Sequence, residues 1–304
     1  MNKGQPRVSL GMPVYNGENF IEETLDSILT QTFEDFELII SDNASTDKTE
    51  EICRAYAAKD SRIRYYRNQE NLGAAPNYNR VVELSTGEYF KWAAHDDLCA
   101  PELLERTVAI LDQQPSVVVC YTKTITIDEN GEVIAKHDDN FNLDFPTAHE
   151  RFAHYQKLVR HGHLCHPIFG LIRLETMRKT PLLGSYPSHD LVYLGELALH
   201  GKFYEVSEYL FFKREHPANS MQANLTYTKR LAWADPKKKG KVFLNYWTRL
   251  FDYLSAIRRV DISWDEKVRC YIEMERWIIW NSFGLTRDLV KAATWPFVVR
   301  FIDV

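Results

Sequence analysis

Two adjacent carboxylates, Asp96 and Asp97, follow an apolar stretch from Tyr89 to Ala94 that predicts a buried strand. Neighbouring buried acids are costly unless a cation or a donor-rich ligand uses them. Ligands of open α/β sheets bind beyond the carboxyl ends of strands, and Mg²⁺ or Mn²⁺ takes carboxylates together with phosphate oxygens. The pair therefore indicates a metal–diphosphate site. A solvated turn leading into a helix is the alternative for so short a motif.

Apolar runs alternate with helical periodicities on both sides of this pair. The strands are predicted at Val8–Val14, Phe36–Ile40, Ile63–Tyr66, Tyr89–Ala94 and Val117–Tyr121. Such alternation is typical of βαβ units and predicts an α/β fold with a mostly parallel central sheet flanked by helices. Polar residues follow three of the strands, at Tyr15–Asn16, Asp42–Asn43 and Asp96–Asp97. Because parallel strands end at one edge of a sheet, these residues are expected to line one crevice.

The chain after residue 121 shows the same two kinds of element. Asn130-Gly131 predicts a tight turn inside an irregular hairpin between residues 124 and 150. Helices are predicted at Ala148–His161 and Leu191–Leu199, and strands at Ile168–Arg173 and Phe203–Phe212.

The overall composition is that of an ordinary globular protein. Charged residues make up 26% and hydrophobic residues 45%, and the net charge of −5 does not favour nucleic-acid binding. The five cysteines are scattered, and the N-terminus lacks the apolar core of a secretion signal. We therefore expect a reduced, cytoplasmic setting.

The motifs fall in an order that closely resembles the family-2 nucleotide-diphospho-sugar glycosyltransferases with a GT-A fold. The resemblance covers residues 7 to 216 and rests on Met12–Gly17, Leu25–Thr32, Glu37–Asp47, Asn71–Gly73, Gly87 and Asp96–Asp97. It implies a Rossmann-like catalytic domain over residues 1–224, followed by a helical extension over 225–304. Residues 7–121 would bind the nucleotide sugar and residues 122–224 the acceptor.

The same resemblance implies roles for individual residues. The nucleotide-sugar-binding residues would be Pro13, Tyr15, Glu18, Asp42, Asn71, Arg80 and Asp96. Asp42 would accept a hydrogen bond from a base N–H, because an ionised carboxylate only accepts. Arg80 would contact the diphosphate, with a surface arginine of no special role as the alternative.

A divalent metal, Mn²⁺ or Mg²⁺, would be held by Asp97 and by His216 of the segment Lys213–His216, which resembles the family's Arg-x-His segment. Ala94 stands where the longer form of the acidic motif has a further acid, and the role of His95 stays open.

Asp190 is the candidate general base. The segment Ser188-His189-Asp190 before a helix resembles the family's Glu-Asp pair, with His189 in place of the glutamate. A general base must reach the acceptor hydroxyl and take its proton as the oxygen attacks the anomeric carbon. The alternative is a plain acid that the helix dipole stabilises.

The implied function is that of an inverting glycosyltransferase. It would move a sugar from a nucleotide-diphospho-sugar, with UDP-sugars as the expected donors, to a glycan or lipid-linked acceptor in cell-surface polysaccharide or glycoconjugate synthesis. A sugar-nucleotide pyrophosphorylase is disfavoured because its glycine-rich loop is missing, and a non-catalytic sugar-nucleotide-binding protein remains the other alternative. The cluster His161–His166 is packed more tightly than usual zinc motifs, so lining of the acceptor cleft or ordinary packing is favoured for it.

The C-terminal segment has a different character. Residues 229–269 contain eleven Lys or Arg and five Asp or Glu, and six of the seven tryptophans lie between Trp233 and Trp295. Helices are predicted at Val242–Ile257 and Lys267–Ser282, before a short apolar end at Trp295–Ile302. Basic and aromatic helices suit a peripheral membrane contact through residues 229–304, on the inner face of the cell membrane. A helical cap on the catalytic domain or a homodimer interface is the alternative.

Overall fold

The computed structural model describes residues 4–161, 166–219 and 226–298. Within them nine strands form one sheet in the order β3-β2-β1-β4-β8-β6-β9-β5, and β7 pairs with β6. The strands are β1 (Val8–Val14), β2 (Phe36–Asp42), β3 (Ile63–Arg67), β4 (Tyr89–Trp92), β5 (Leu98–Cys99), β6 (Val117–Ile127), β7 (Val133–His137), β8 (Leu171–Arg173) and β9 (Lys202–Arg214).

Helices lie between and after these strands. They are α1 (Ile21–Leu29), α2 (Thr49–Lys59), α3 (Ala74–Glu83), α4 (Leu103–Gln113), α5 (Ala148–Arg160), α6 (Leu174–Met177), α7 (His189–His200), α8 (Tyr227–Ala234), α9 (Asn245–Arg259), α10 (Trp264–Trp280) and α11 (Ser282–Val298). Short 3₁₀ helices span His166–Phe169 and Pro236–Lys238.

Two predicted elements differ from the structure. The strand expected from Ile168 begins only at Leu171, because Pro167 opens a turn that the Gly170 N–H closes on the Pro167 carbonyl (3.0 Å). Proline has no N–H to give to a strand ladder. Trp295, expected in a short apolar end, lies instead within the long helix α11.

The first half of the region that the sequence predicts to be catalytic, residues 7–121, contains the parallel run β3-β2-β1-β4. β1 pairs in parallel with β2 and β4, and β2 pairs in parallel with β3. All seven residues of β1 and of β2 are buried, as expected for strands with both faces covered. The second half, residues 122–219, continues the sheet as a mixed one, because β8 is antiparallel to both β4 and β6 while β9 is parallel to β6. The predicted parallel order is therefore uninterrupted only from β3 to β4, because the antiparallel β8 separates this run from the parallel pair β6–β9.

The C-terminal helices α8–α11, here called the extension, pack against the second half. Phe152 of α5 and Val192 of α7 share a buried cluster with Tyr253, Ile257 and Trp277 of the extension. Arg259 reaches Glu196 of α7 at 2.8 Å. The predicted domain boundary at residue 224 lies among residues 220–225, outside the described ones. No described helix combines the length and apolarity needed to cross a bilayer.

Candidate active site

The acidic pair lies between β4 and the carboxyl end of β9. Asp97 is buried, and its Oδ1 accepts a hydrogen bond from the backbone N–H of Arg214 (2.9 Å). Asp96 Oδ2 lies 3.0 Å from Nε2 of the buried His216. Two stretches of chain more than a hundred residues apart thus meet here. The structure bonds His216 to Asp96, whereas the sequence predicts it beside Asp97 as a metal ligand, and that role stays a prediction.

The two acids differ in how well their charges are compensated. Burial and the neighbouring charge of Asp96 raise the pKa of Asp97 to about 8. Burial also acts to raise the pKa of Asp96, but the hydrogen bond to His216 and the charge of His95 hold it below its ordinary value. A cation next to Asp97 would favour the charged form of its carboxylate. The donor set, a buried carboxylate and an imidazole, therefore fits a divalent metal.

Arg214 is a residue whose role the sequence did not reveal. Its side chain is buried and donates to the Asp96 carbonyl (3.0 Å), to the Asp128 carbonyl (3.2 Å) and to Glu23 Oε2 of α1 (2.6 Å). One guanidinium thus joins the acidic pair, the turn between β6 and β7, and α1. The one sequence feature that could have indicated this role of Arg214 is its position two residues before His216.

The loop after β1 lies against the acidic pair. A Cβ on Gly17 would come within 2.6 Å of the His95 ring, so glycine is needed for this close approach. Pro13 is buried beside β2, Tyr15 is 45% exposed, and Glu18 accepts a hydrogen bond from the Lys48 N–H (3.0 Å). This loop is therefore anchored on both sides and leaves the Tyr15 ring accessible.

Asp42, at the end of β2, is fully buried and already bonded to the protein. Its Oδ2 accepts from Tyr65 (2.7 Å) and Arg67 (2.6 Å), and its Oδ1 accepts from the Ser45 N–H (2.8 Å). Sequence analysis missed Tyr65 and Arg67, although the parallel register sets Arg67 directly opposite Asp42. The bond from a nucleotide base to Asp42 stays a prediction.

Asn71 holds the loop that precedes α3. Its Oδ1 accepts from Asn43 Nδ2 (2.9 Å) and from the Gly73 N–H (2.9 Å). Arg80 lies half-buried on α3, and its buried Nε has no hydrogen-bond partner within the described residues. An unpaired buried donor is uncommon in a folded protein.

The extension contacts this loop. Gly73 has a φ of +90°, and a Cβ there would lie 2.6 Å from the Ala234 carbonyl and 2.7 Å from Pro236. Lys238 in the same turn donates to the Ser185 carbonyl (2.9 Å), in the loop before α7. The turn Pro236–Lys238 therefore touches loops from both halves of the catalytic region.

Asp190 lies in the first turn of α7, where burial raises the pKa of its carboxyl group. Within the described ranges, no hydrogen bond or ion pair joins Asp190 to Asp96, Asp97 or His216. His189 packs on the Tyr186 ring (4.8 Å between centroids), and burial lowers its pKa to about 4, so this imidazole is neutral near pH 7.

The cluster His161–His166 falls partly on residues 162–165, outside the described residues. His166 is buried, with Nδ1 2.9 Å from Asp139 Oδ2. Among the residues that are described, no three His, Cys, Asp or Glu side chains are grouped closely enough to hold a metal by themselves.

The sequence model of the family named Glycosyl transferase family 2 matches residues 9–179, which is more than half of the chain. The chain belongs to glycosyltransferase family 2. This family-2 glycosyltransferase is 34% identical over 157 residues to an uncharacterized glycosyltransferase of Rickettsia typhi, and the match covers 49% of this chain and 48% of that protein. The chain spans about half the length of this relative and of two further curated relatives.

Solved glycosyltransferases share the fold. TarS 1-349 of S. aureus in complex with UDP-GlcNAc aligns with a TM-score of 0.66 at 18% identity, covering 95% of this chain and 78% of that one. The mannosyltransferase PcManGT from Pyrobaculum calidifontis, in complex with GDP-Man and Mn²⁺, aligns with a TM-score of 0.54 at 17% identity, covering 95% and 87%. These similarities confirm the predicted GT-A fold.

Proposed function

We propose that the protein is an inverting glycosyltransferase that moves a sugar from a nucleotide-diphospho-sugar to a hydroxyl of a glycan or lipid-linked acceptor. The observation that carries this proposal is the contact of His216 with Asp96, next to the buried Asp97, just beyond the carboxyl end of β4. A buried acid with a raised pKa, next to a second acid bonded to histidine, is suited to a ligand that brings positive charge. Cell-surface polysaccharide or glycoconjugate synthesis in the cytoplasm is the setting we expect.

The first half would bind the donor. The residues proposed for this are Pro13, Tyr15, Glu18, Asp42, Asn71, Arg80 and Asp96. The exposed Tyr15 ring offers a stacking surface for a base, and the guanidinium of the half-buried Arg80 is the group proposed to bond a phosphate oxygen. UDP-sugars are the first candidates, because one fold neighbour was crystallised with UDP-GlcNAc. Another was crystallised with GDP-Man, so guanosine donors belong in the same test.

Asp97 and His216 are the residues that would hold Mn²⁺ or Mg²⁺. Carboxylate oxygen and imidazole nitrogen both suit Mn²⁺, and both ions accept phosphate oxygens as further ligands. Such an ion, when bound, neutralises charge on the departing nucleoside diphosphate. Arg214 positions both acids of the site. Its side chain donates to the Asp96 carbonyl, and its backbone N–H donates to the Asp97 carboxylate.

Asp190 would act as the general base. Its raised pKa brings the carboxylate closer to the working pH, which strengthens it as a base. Asp190 takes the proton of the acceptor hydroxyl while the hydroxyl oxygen bonds to the anomeric carbon. The bond from that carbon to the diphosphate oxygen breaks on the opposite face, so the configuration at the carbon inverts.

A donor panel tests the proposal. The purified chain is mixed with UDP-, GDP- and dTDP-sugars, with and without Mn²⁺, and both the melting temperature and released nucleoside diphosphate are measured. We expect one donor to raise the melting temperature in a metal-dependent way, because a ligand stabilises the folded state that binds it. Asp97→Asn should lose that metal dependence.

Asp144→Asn is the matched control, since Asp144 is an exposed acid paired with Lys202 away from the site. It should keep the response of the unchanged chain. Metal-independent stabilisation by every donor, or an undiminished response in Asp97→Asn, would contradict the proposed site. Donor binding without any nucleotide release, even with acceptors present, would point to a non-catalytic sugar-nucleotide-binding protein.

A further inference from the structure

Exposed large hydrophobic side chains concentrate in the extension. Thirteen such side chains are exposed among the described residues, and ten of them belong to α8–α11. The ten are Trp233, Phe251, Trp264, Val268, Ile272, Ile278, Ile279, Phe283, Leu289 and Val290. Single exposed apolar residues are normal on a protein surface, but a cluster of this kind marks an interaction site.

Helix α10 has two apolar faces. Cys270, Met274 and Trp277 are buried against the second half and α9. Exposed apolar residues follow one another on the other side of the helix, within an arc of about 80° at 3.6 residues per turn. They are Trp264 (74% exposed), Val268, Ile272 and Ile279 (69% exposed), and Glu275 is the one acid inside the arc.

Helix α11 continues this surface. Phe283 is 79% exposed, and Leu289 and Val290 are at least half exposed. Between residues 282 and 294 the other exposed side chains are small or hydroxylated, and Arg287 is the only charged one. The outward faces of α10 and α11 are called the apolar surface below.

Positive charge is concentrated in the extension, which carries the apolar surface. Residues 226–298 contain fourteen Lys or Arg and eight Asp or Glu, an excess of six positive charges in a chain whose net charge is −5. Lys291 of α11 lies 4.6 Å from the centre of the Tyr227 ring, so α11 contacts α8. Helix α8 leads directly into the basic turn Lys237–Lys241, where three of the four lysines are exposed.

We propose that the apolar surface docks onto an anionic lipid bilayer, with the basic turn against the lipid headgroups. Interfacial helices bury an apolar face at the headgroup boundary while basic residues contact anionic lipids. A second copy is the less suitable occupant, because joining two copies at this face would bring two positively charged extensions together. The sequence predicts a membrane contact for residues 229–304 as a whole, and the exposed apolar residues of α10 and α11 narrow this contact to two helices.

Sedimentation with vesicles tests this docking. The full chain is mixed with vesicles of phosphatidylglycerol and phosphatidylcholine (3:7) or of phosphatidylcholine alone. We expect binding to the anionic vesicles that weakens at high salt, and binding about tenfold weaker for the double variant Phe283→Ser/Val290→Ser. The matched control is Val133→Ser/Ile134→Ser, which removes two exposed apolar side chains of β7 (58% and 55% exposed) and should bind like the unchanged chain.

Equal binding by the two double variants, or no vesicle binding by the unchanged chain, would overturn the proposal. A dimer seen by light scattering that only Phe283→Ser/Val290→Ser disrupts would assign the surface to a second copy instead. All of these side chains are exposed, so folding should be preserved, and matching melting temperatures would verify this. The test measures no sugar transfer, so its outcome and that of the proposed function are independent.

Discussion

The two halves of the catalytic region hold their candidate residues in different ways. In the first half the ends of parallel strands place the groups, as β2 does for Asp42 opposite Arg67 of β3. In the second half the candidate base, Asp190, lies on a helix that is packed against the extension. Tyr253 of the extension donates to the Leu191 carbonyl (3.1 Å), next to Asp190. The comparison suggests that the donor side depends on the sheet, whereas the base depends on the extension.

Replacing Asp190 should have the largest effect on this comparison. In Asp190→Asn we expect kcat to fall by about 10²–10⁴-fold, because general-base catalysis contributes roughly that factor. The donor-induced rise in melting temperature should stay, because we propose that the other half binds the donor. Steady-state kinetics and thermal shifts on one preparation measure both.

Asp144→Asn again serves as the control. If Asp190→Asn also abolishes donor stabilisation, Asp190 belongs to the donor side and the division between the halves is wrong.

Gly195→Val tests whether the contact between α7 and the extension is close-packed. A Cβ at Gly195 would lie 2.7 Å from Tyr253 Cε1 and 2.9 Å from Tyr155 Cε1, both on buried rings. Overpacking of this kind should destabilise the fold by about 3 kcal/mol, measured by urea unfolding. Ala293→Val, on an exposed position of α11, is expected to change the stability far less. Equal stability of the two variants would show that α7 and α9 can separate slightly without loss.

His189 should make stability depend on pH. Its folded pKa of about 4 lies below the ordinary value of 6.5, because burial disfavours the charged imidazole. The unfolded chain therefore binds the proton first, and stability is lost as the pH falls from about 6.5 towards 4. The loss at pH 5 from this group should be about 2 kcal/mol.

Urea unfolding at pH 7 and pH 5 measures this difference, which should be smaller in His189→Gln. His200, whose pKa burial also lowers to about 4, would keep its own part of the slope. An unchanged slope in His189→Gln would show that His189 does not titrate as described.

Tyr253→Phe should have the smallest effect. It removes one hydrogen bond to the Leu191 carbonyl, and the Tyr155 hydroxyl still donates to the same oxygen. We expect a loss of about 1 kcal/mol in unfolding free energy and an unchanged kcat. A large fall in kcat with intact stability would mean that this bond positions Asp190, and would strengthen the link between the extension and the base.

The sequence predicted the first half better than the rest. Buried parallel strands read as continuous apolar runs, so β1 and β2 and the polar residues at their ends were recognisable. The family resemblance implied that His216 joins Asp97 at a metal, and the hydrogen bond of His216 to Asp96 was not foreseen. The partners of Asp42 were not predictable, because Tyr65 and Arg67 become its neighbours only through the register of β3 on β2.

Helix α11 was missed for a different reason. Only a few of its side chains, Leu285 and Asp288 among them, are buried, so it lacks the apolar periodicity that marks a packed helix. Most of its described apolar side chains face outward, so the sequence shows no apolar stripe of the kind that packs against a neighbouring element.

The turn Pro236–Lys238 has a consequence for turnover. It fits against Gly73 before α3, and through Lys238 it is tied to Ser185 before α7. A nucleotide that enters or leaves under the Asn71–Gly73 loop would push on a segment that also braces the loop leading to Asp190. We therefore expect that substrate entry on one wall of the cleft shifts the loop before Asp190 on the other wall. This small basic turn would transmit the displacement between the two loops.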